Sequence, residues 1–256
     1  MLSVDLNCDM GESFGAYRIG ADEEVFPYIT SANIACGFHG GDPTVMRETI
    51  ARAMHHGVAI GAHPGFPDLA GFGRRNIDVT PQEAYDMVVY QVGALLGFAA
   101  AAGTTVQHVK AHGALYNMAA ARPELAEAIA RAVHDVDVRL VLFGLPGSFL
   151  ISAGEAVGLE VANEAFADRN YMPDGSLVSR RRADAHVTDA AEAERRAIRM
   201  VRERKVTSVS GNDIAIRADT ICVHGDGPHA VEFVRRLRDA FQKAGITLRA
   251  PRGVIT

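Results

Sequence analysis

The stretch VDLNCD at residues 4–9 alternates apolar and polar side chains. Successive side chains of a strand point to opposite faces, so Asp5, Asn7 and Asp9 share one face. A strand in a parallel sheet is expected to be apolar on both faces, because helices cover them. Carboxylates on such a strand are costly to bury unless they are paired or bind something. The stretch therefore predicts a parallel strand whose inner face carries a polar site.

Short apolar strands alternate with amphipathic helices along most of the chain. The predicted strands are residues 4–8, 32–36, 58–62, 106–111, 139–143, 159–165 and 220–223. This alternation favours a parallel sheet. The strand–helix repeats have similar lengths and lack a G-x-G-x-x-G turn, so we expect a closed α/β structure, a seven-stranded (β/α) barrel, rather than an open dinucleotide-binding sheet.

Helix signals separate the predicted strands. Asp42 is an N-cap followed by proline, and Thr80 opens a capping box completed by Glu83. Thr188 is expected to cap a helix that runs to about residue 203. The last helix is predicted from about residue 230 to 244, where a glycine follows.

The 256 residues are close to the ~250 typical of a (β/α) barrel. We expect one barrel domain over residues 1–256, with a long loop at about 168–187 and a β-hairpin at about 206–217 as insertions. The net charge of −5 gives no reason to expect nucleic acid or a membrane as partner. We find no apolar run long enough to span a bilayer and no signal peptide, so we expect a cytoplasmic protein.

The three cysteines, Cys8, Cys36 and Cys222, predict neither a disulfide framework nor a structural zinc site. Their number is odd, and none belongs to a C-x-x-C pair. Each falls in a predicted strand, where a buried free thiol is the usual outcome. Cys36 is the one candidate for a reactive thiol.

Polar residues return near the ends of the other predicted strands. His108, Lys110 and His112 share one face of the fourth strand. The other strand-end candidates are Glu12, Asn33, His39, His63, Glu164, Asp168, Arg169, His224 and Asp226. The carboxyl ends of barrel strands meet on the face where the active sites of such barrels lie. Because titratable groups cluster at active sites, we expect these side chains to form one site.

Some nearby residues allow more than one interpretation. Arg74 and Arg75 are equally compatible with an anion clamp and with a solvated loop, whereas the run 180–182 of three arginines is expected to be solvated surface. Mixtures of Asp and His suit zinc or manganese, and the candidate metal ligands are Asp9, His39 and His63. No H-E-x-x-H pair or other fixed ligand spacing occurs, so metal binding stays open at this point.

Six blocks of sequence, in order, resemble the LamB/YcsF family. They are DLNCDMGESFG at 5–15, SANIACGFHGGDP at 31–43, GAHPGFPDLAGFGRR at 61–75, VKAHGALYN at 109–117, EAFADRNY at 164–171 and VHGDGP at 223–228. The resemblance implies a seven-stranded barrel related to glycoside hydrolases and deacetylases. It also implies hydrolysis of the lactam 5-oxo-L-proline to L-glutamate, coupled to ATP hydrolysis, in a 5-oxoprolinase complex with subunits B and C.

Roles for the residues follow from this resemblance as hypotheses. The chain lacks G-x-x-x-x-G-K-[ST], so partner subunits are expected to handle most of the ATP. Asp9 or His63 would be the general base, and Lys110 would bind the substrate carboxylate or a transferred phosphate. His112 and His224 would stabilise the oxyanion or protonate the leaving nitrogen. Binding or orienting roles fall to Asp5, Asn7, Glu12, Asn33, His39, Arg74, Glu164, Asp168, Arg169 and Asp226.

Two other functions remain open from the sequence. A stand-alone metal-dependent amide or sugar deacetylase would contain stoichiometric metal and lose activity to a chelator. A non-catalytic scaffold or regulatory barrel would tolerate substitutions at the strand ends. The polar faces of the first and fourth strands argue against a scaffold, because a scaffold has no need of buried charge.

Overall fold

A computed structural model of the chain describes residues 2–223 and 230–251. Its strands, in chain order, are β1 (Ser3–Met10), β2 (Ser31–Ala35), β3 (Ala59–His63), β4 (His108–Lys110), β5 (Val141–Gly144), β6 (Val161–Phe166), β7 (Lys205–Thr207), β8 (Asp213–Ala215), β9 (Thr220–Val223) and β10 (Thr247–Leu248). Strands β1 to β6 and β9 pair in parallel, and β9 pairs with β1 to close a barrel. The predicted seven-stranded α/β barrel is confirmed.

Helices pack around this barrel. In the described ranges they are α1 (Asp22–Val25), α2 (Pro43–His56), α3 (Pro81–Ala101), α4 (Gly113–Ala121), α5 (Pro123–Val136), α6 (Phe149–Ala156), α7 (Ala190–Glu203) and α8 (Ala230–Lys243), with a 3-10 turn at Phe26–Tyr28. One buried apolar cluster joins Leu6 and Val109 of the strands to Val88 and Leu95 of α3. The apolar side chains of β1 and β4 thus form the main core, which leaves their polar side chains for the barrel interior.

The helix starts follow the capping signals with one correction. The Asp42 carboxylate accepts hydrogen bonds from two backbone amides at the start of α2, and Thr80 forms the predicted capping box of α3. The prediction that Thr188 caps α7 is wrong: the cap is Asp189, whose carboxylate accepts from the amides of Ala191 and Glu192. Helices α1, α4 and α6 were not predicted, because each has fewer than ten residues and is too short to show a clear apolar stripe.

The two predicted insertions have different structures. The hairpin consists of β7 and β8, which pair with each other in an antiparallel sheet separate from the barrel. The long loop between β6 and α7 is tied down by the buried side chain of Arg169, which donates to the carbonyls of Val178 and Ala185. This anchoring holds the loop against the carboxyl end of the barrel.

Helix α3 is long and apolar enough, by length and composition, to cross a membrane. The sequence-based expectation that no run reaches this length and apolarity is therefore wrong for α3, where alanines between the larger apolar residues keep the mean hydropathy high. In this structure α3 packs against α2, α5 and β3 as one of the barrel's outer helices. Apolar helices in the core of a protein can have the same length and composition.

One close contact inside the barrel requires a glycine. The ring of His108 on β4 lies so close to Gly61 on β3 that a Cβ at this position would overlap the ring. The ring Nε2 lies 2.8 Å from the Asn33 side-chain oxygen, and the ring stacks on Phe143. Gly61 therefore leaves the space for a histidine ring that supports the polar residues above it.

Replacing Gly61 with alanine is expected to lower the free energy of unfolding by about 1–3 kcal/mol, because the new methyl group overlaps the His108 ring. Urea unfolding monitored by circular dichroism measures this change. The matched control is Gly93→Ala in α3, where a Cβ meets nothing within 4 Å and stability should stay the same or rise by up to ~1 kcal/mol. Equal stability of the two variants would contradict the close packing at Gly61.

Candidate active site at the carboxyl ends of the strands

A polar pocket opens at the carboxyl ends of the barrel strands. It is lined by Asp9, Glu12, His63, Arg74, Lys110, Ala111, His112, Gly113, Tyr116, Asn117, Phe166, Arg169, Leu177 and Arg180. These residues come from β1, β3, β4 and β6, from the segments that follow them, and from the long loop before α7. Of the side chains that the sequence places at the strand ends, the pocket lining contains Asp9, Glu12, His63, Lys110, His112 and Arg169.

Lys110 is the centre of the buried charges. Its Nζ lies 2.9 Å from Asp9 Oδ1 and 2.8 Å from Glu164 Oε1, and its side chain is only 4% exposed. Burial alone would lower the pKa of Lys110, but its anionic neighbours, Asp9 first, more than offset this and hold that pKa well above its usual value. Lysine therefore stays charged here, and its charge is already shared by two carboxylates.

Two asparagines hold those carboxylates in place. Asn33 donates through Nδ2 to Asp9 Oδ1 and to Asn7 Oδ1, each at 2.8 Å. Asn7 in turn donates through Nδ2 to Glu164 Oε1 at 3.1 Å. Both asparagines are fully buried. The amides thus fix the oxygens that face Lys110, as expected for residues that orient a site.

Asp5 lies one layer deeper than the pocket. Its carboxylate accepts hydrogen bonds from the hydroxyls of Thr30 at 2.6 Å, Ser31 at 2.7 Å and Thr220 at 2.5 Å. These bonds join β1 to the start of β2 and to β9. Burial raises the pKa of Asp5 to about 6, although the three hydroxyls act in the opposite direction. Asp5 does not line the pocket, and its contacts fit an orienting role.

Three histidines and a glutamate form a second buried cluster beside the Lys110 charges. His63 Nε2 lies 2.9 Å from His112 Nδ1 and 3.3 Å from Asp9 Oδ2. His39 Nε2 lies 3.2 Å from Glu12 Oε1. One possible ligand atom from each of Glu12, His39, His63 and His112 lies within 4.8 Å of the others, so this set could hold a metal ion. Of the candidate ligands named from sequence, His39 and His63 belong to it, and Asp9 contacts it through His63.

Burial also decides the charge of these rings. It lowers the pKa of His39 well below the usual value, and the neighbouring His63 lowers it further. The pKa of His112 is lowered in the same way, first by burial and then by His39. The rings of His39 and His112 stack in parallel with their centroids 3.6 Å apart. Both rings are therefore neutral at neutral pH, the form in which imidazole binds metals.

Arginines surround the mouth of the pocket. Arg74 and Arg180 are exposed there, while Arg169 is buried by the loop that it anchors. Burial, and then Arg180, lowers the pKa of Arg169 to about 10, which still leaves it charged at neutral pH. Arg75 does not form a clamp with Arg74, because it pairs with Asp68. The mouth is thus cationic above an interior rich in carboxylates.

The predicted surface run of three arginines, 180–182, is exposed along its whole length, as expected. Arg180 nevertheless lines the pocket, while Arg182 turns away and pairs with Asp184. The sequence could not predict which of Arg180 and Arg182 lines the pocket. The direction of each side chain is set by the fold of the loop backbone.

Some predicted site residues do not join the pocket. His224 and Asp226 lie outside the described residues. Asp168 begins the long loop and does not line the pocket. Cys36 is buried with its Sγ 3.2 Å from the carbonyl of Ile34, and burial raises the pKa of its thiol to about 12. It is therefore an unreactive thiol, and all three cysteines are buried and free, as predicted for the group.

Other residues of the site were missed from the sequence. Tyr116 and Asn117 belong to α4, a helix that was not predicted. Burial, followed by the neighbouring Glu164, raises the pKa of Tyr116, which stays a neutral phenol. Gln91 on α3 bonds both backbone groups of Gly65 and so holds the turn after His63. A lone amide in the apolar stripe of α3 is a signal that could have identified Gln91.

Comparisons with known proteins give a consistent result. A model of the LamB/YcsF family matches residues 4–256. The A subunit of the 5-oxoprolinase of Bacillus licheniformis is 60% identical over 250 residues, covering 98% of this chain and 99% of that protein. The corresponding A subunit of Bordetella pertussis is 58% identical over 248 residues, covering 97% and 98%. The crystal structure of a lactam utilization protein from Thermus thermophilus superposes with a TM-score of 0.92 at 49% identity, over 97% of this chain and 100% of that one.

The buried Asp5 carboxyl should make stability depend on pH with a recognisable sign. Its pKa rises from 3.8 to about 6 on folding, so the folded chain binds more protons than the unfolded chain between these values. The contribution of Asp5 to the free energy of unfolding therefore falls as pH rises through this window, by about 3 kcal/mol in total. In Asp5→Asn this loss disappears, so the stability of the variant relative to the parent should increase from pH 4 to pH 7.

Urea unfolding at several pH values measures this difference. The matched control is Asp42→Asn, because hydrogen bonds from backbone amides, that of Val45 first, lower the pKa of Asp42. The relative stability of that variant should change little from pH 4 to pH 7, because the pKa of Asp42 is lowered from 3.8 and so lies below this window in both states. A relative stability of Asp5→Asn that does not change with pH would show that Asp5 is not the proton-binding group inferred here.

Proposed function

The chain belongs to the LamB/YcsF family, and we propose that it is the lactam-hydrolysing A subunit of an ATP-dependent 5-oxoprolinase. The observation that supports this most directly is near-full-length identity of about 60% to proteins of that name. A strand-end pocket with a buried carboxylate–lysine–carboxylate arrangement fits a hydrolase better than a scaffold. The reaction proposed converts 5-oxo-L-proline, ATP and water to L-glutamate, ADP and phosphate.

The charge distribution of the pocket suits this substrate. 5-Oxoproline carries a carboxylate on one side of a small ring and a neutral lactam on the other. The arginines of the mouth, Arg74 and Arg180, offer charge and donors for the carboxylate, so the lactam would enter towards Asp9 and His63. Lys110 already lies between two carboxylates, so in this proposal it positions Asp9 and Glu164 rather than holding the substrate anion.

The lactam carbonyl is unreactive, and ATP would activate it. In the proposed sequence the lactam oxygen attacks the γ-phosphorus and ADP leaves, which makes the lactam carbon electrophilic. Asp9 or His63 removes a proton from water, and the water oxygen bonds to that carbon. The ring C–N bond then breaks as the nitrogen takes a proton, and a second water hydrolyses the γ-glutamyl phosphate to glutamate and phosphate.

Other groups would assist these steps. His112 lines the pocket beside His63 and would stabilise the developing oxyanion or protonate the leaving nitrogen, the role also proposed for His224. Asp5, Asn7, Asn33 and Glu164 orient the charged groups through the hydrogen bonds described above.

Partner subunits complete the proposal. The relatives bear the name of one lettered subunit, which implies an assembly of several chains. This chain has no phosphate-binding G-x-x-x-x-G-K-[ST] loop. We therefore assign most of the ATP handling to subunits B and C, with the cationic mouth of this barrel facing them. A cytoplasmic location, where ATP is available, remains a prediction.

The first test is glutamate release from 5-oxoproline and ATP, measured with this chain alone and in the complex with subunits B and C. Asp9→Asn should lower kcat in the complex by about 100-fold or more, because the proton acceptor is lost while its shape is kept. Asp86→Asn, an exposed carboxylate on α3, is the matched control and should leave kcat unchanged. Normal turnover of a folded Asp9→Asn complex would contradict the assignment of Asp9 and leave His63 as the base.

The same assay separates the alternatives. Amide or sugar deacetylation by the chain alone, without ATP, would support a stand-alone deacetylase. Normal complex activity after substitutions of all the pocket residues would support a scaffold.

A second prediction concerns two nearby arginines of the long loop. Arg180→Gln should raise KM for 5-oxoproline about tenfold with little change in kcat, because a charged hydrogen bond to the carboxylate is worth roughly 1.5 kcal/mol or more. Arg182→Gln is the matched control, because Arg182 is also exposed but pairs with Asp184 outside the pocket. Equal KM values for the two variants would contradict substrate binding at this side of the mouth.

A further inference from the structure

Two backbone carbonyls fix the protons on the histidines of the buried cluster. His63 Nδ1 lies 2.7 Å from the carbonyl oxygen of Lys110, and His112 Nε2 lies 2.8 Å from that of Phe72. A carbonyl oxygen can only accept a hydrogen bond, so each of these ring nitrogens carries the proton. In a neutral ring the other nitrogen then has a bare lone pair. These are His63 Nε2 and His112 Nδ1.

The two bare nitrogens face each other. His63 Nε2 and His112 Nδ1 are 2.9 Å apart, at hydrogen-bond distance, while the ring N–H of each histidine is already directed at a backbone carbonyl. Two lone pairs at this distance repel each other unless a cation lies between or beside them. The geometry therefore calls for a positive charge at this point, which is either an extra proton or a metal ion.

Two carboxylates lie beside the bare ring nitrogens of His63 and His112. Glu12 Oε1 lies 3.6 Å from His112 Nδ1 and 3.2 Å from His39 Nε2. Asp9 Oδ2 lies 3.3 Å from His63 Nε2. The imidazoles are buried, so water does not screen their lone pairs. Glu12 and the two ring nitrogens form a set of ligands, because each has an electron pair to donate to the same centre. Asp9, which is paired with Lys110, adds negative charge beside this set.

We infer that His63, His112 and Glu12, joined by His39, bind one divalent transition-metal ion, of which Zn²⁺ fits best. Imidazole nitrogens and a carboxylate are typical zinc ligands. Two nitrogens that each lie ~2.0 Å from one tetrahedral ion are about 3.3 Å apart, so the 2.9 Å between His63 and His112 needs a shift of only a few tenths of an ångström. Histidines that bind metals usually donate their second ring N–H to a carbonyl or carboxylate, which is the arrangement of both rings here.

His39 would be the last ligand to join. Its ring stacks parallel to that of His112, and an ion cannot lie in the planes of two stacked rings at once. His112 is held by Phe72, so His39 is the ring that must turn. Glu12, His63 and His112 line the pocket, which places the open side of the ion towards the substrate. With an ion there, the ring nitrogens of His63 and His112 would be occupied, so Asp9 would be the general base. The ion would polarise a carbonyl oxygen or activate water.

This inference goes beyond the proposed function and does not depend on it, because it follows from the hydrogen bonds of the histidine rings and from the ligand atoms around them. Its test therefore contains neither lactam nor ATP. The full chain is freed of metal with a chelator and titrated with ZnCl₂ by calorimetry. In parallel, CoCl₂ is added and the visible absorption of bound Co²⁺ is recorded, followed by displacement with Zn²⁺.

We expect one Zn²⁺ per chain and a Co²⁺ spectrum typical of nitrogen and oxygen ligands. His63→Ala and His112→Ala should each lower the Zn²⁺ affinity by about 100-fold or more. Glu12→Gln keeps the shape of the side chain and should also lower the Zn²⁺ affinity. It provides a second measurement if an alanine variant fails to fold. His134→Ala is the matched control, because His134 is exposed on α5 beside Asp135 and represents adventitious surface binding.

Two results would overturn the inference. One is the absence of saturable Zn²⁺ binding, which would leave an extra proton shared by His63 and His112 as the cation. The other is binding that His134→Ala weakens and the cluster variants do not. The metal titration and the glutamate-release assay are separate experiments. Zn²⁺ binding without glutamate release would support this site and contradict only the proposed function. Glutamate release without Zn²⁺ binding would contradict only the metal site.

Discussion

The buried ammonium group of Lys110, held between Asp9 and Glu164, is the interaction on which the rest of the site depends. These three residues come from β4, β1 and β6, no two of which are neighbouring strands in the barrel. A buried charge without a partner strongly lowers stability. Burial of the Asp9 and Glu164 carboxylates therefore requires the Lys110 ammonium group, and burial of Lys110 requires the carboxylates. The triad thus links the barrel's closure to the positions of its reactive groups.

The polar interior beneath this triad is arranged in layers. Asp5 with its three hydroxyl donors lies lowest, followed by Asn7 with Asn33, and then by the triad itself. Each layer satisfies the hydrogen bonds of the next, so few buried polar atoms lack a partner among the described residues. Two ring nitrogens of this interior, His39 Nδ1 and His108 Nδ1, have no hydrogen-bond partner in the part of the chain that the structure describes. The hydrogen bonds between the layers restrict the movement of the other groups, and such restriction holds catalytic groups within a few tenths of an ångström of their working positions.

The sequence predicted the fold and the inner face of the site for the same physical reason. Strand periodicity is local, so the alternation in β1 is sufficient to place Asp5, Asn7 and Asp9 together inside a parallel barrel. Contacts made by loops are not local. Neither the stacking of His39 on His112 nor the anchoring of the long loop by Arg169 follows a spacing rule, because both depend on how the backbone folds back over the barrel end.

The same distinction explains Tyr116 and the two histidine tautomers. Tyr116 reaches the pocket because a helix begins immediately after β4, and that short apolar helix has no strong amphipathic signal. The protons on His63 and His112 are set by carbonyls of the backbone, which have no identity in the sequence. The chemistry of the cluster therefore depends on peptide groups as much as on side chains. Any relative that keeps the four cluster residues but moves the Phe72 carbonyl would lose the arrangement that leaves a lone pair on His112.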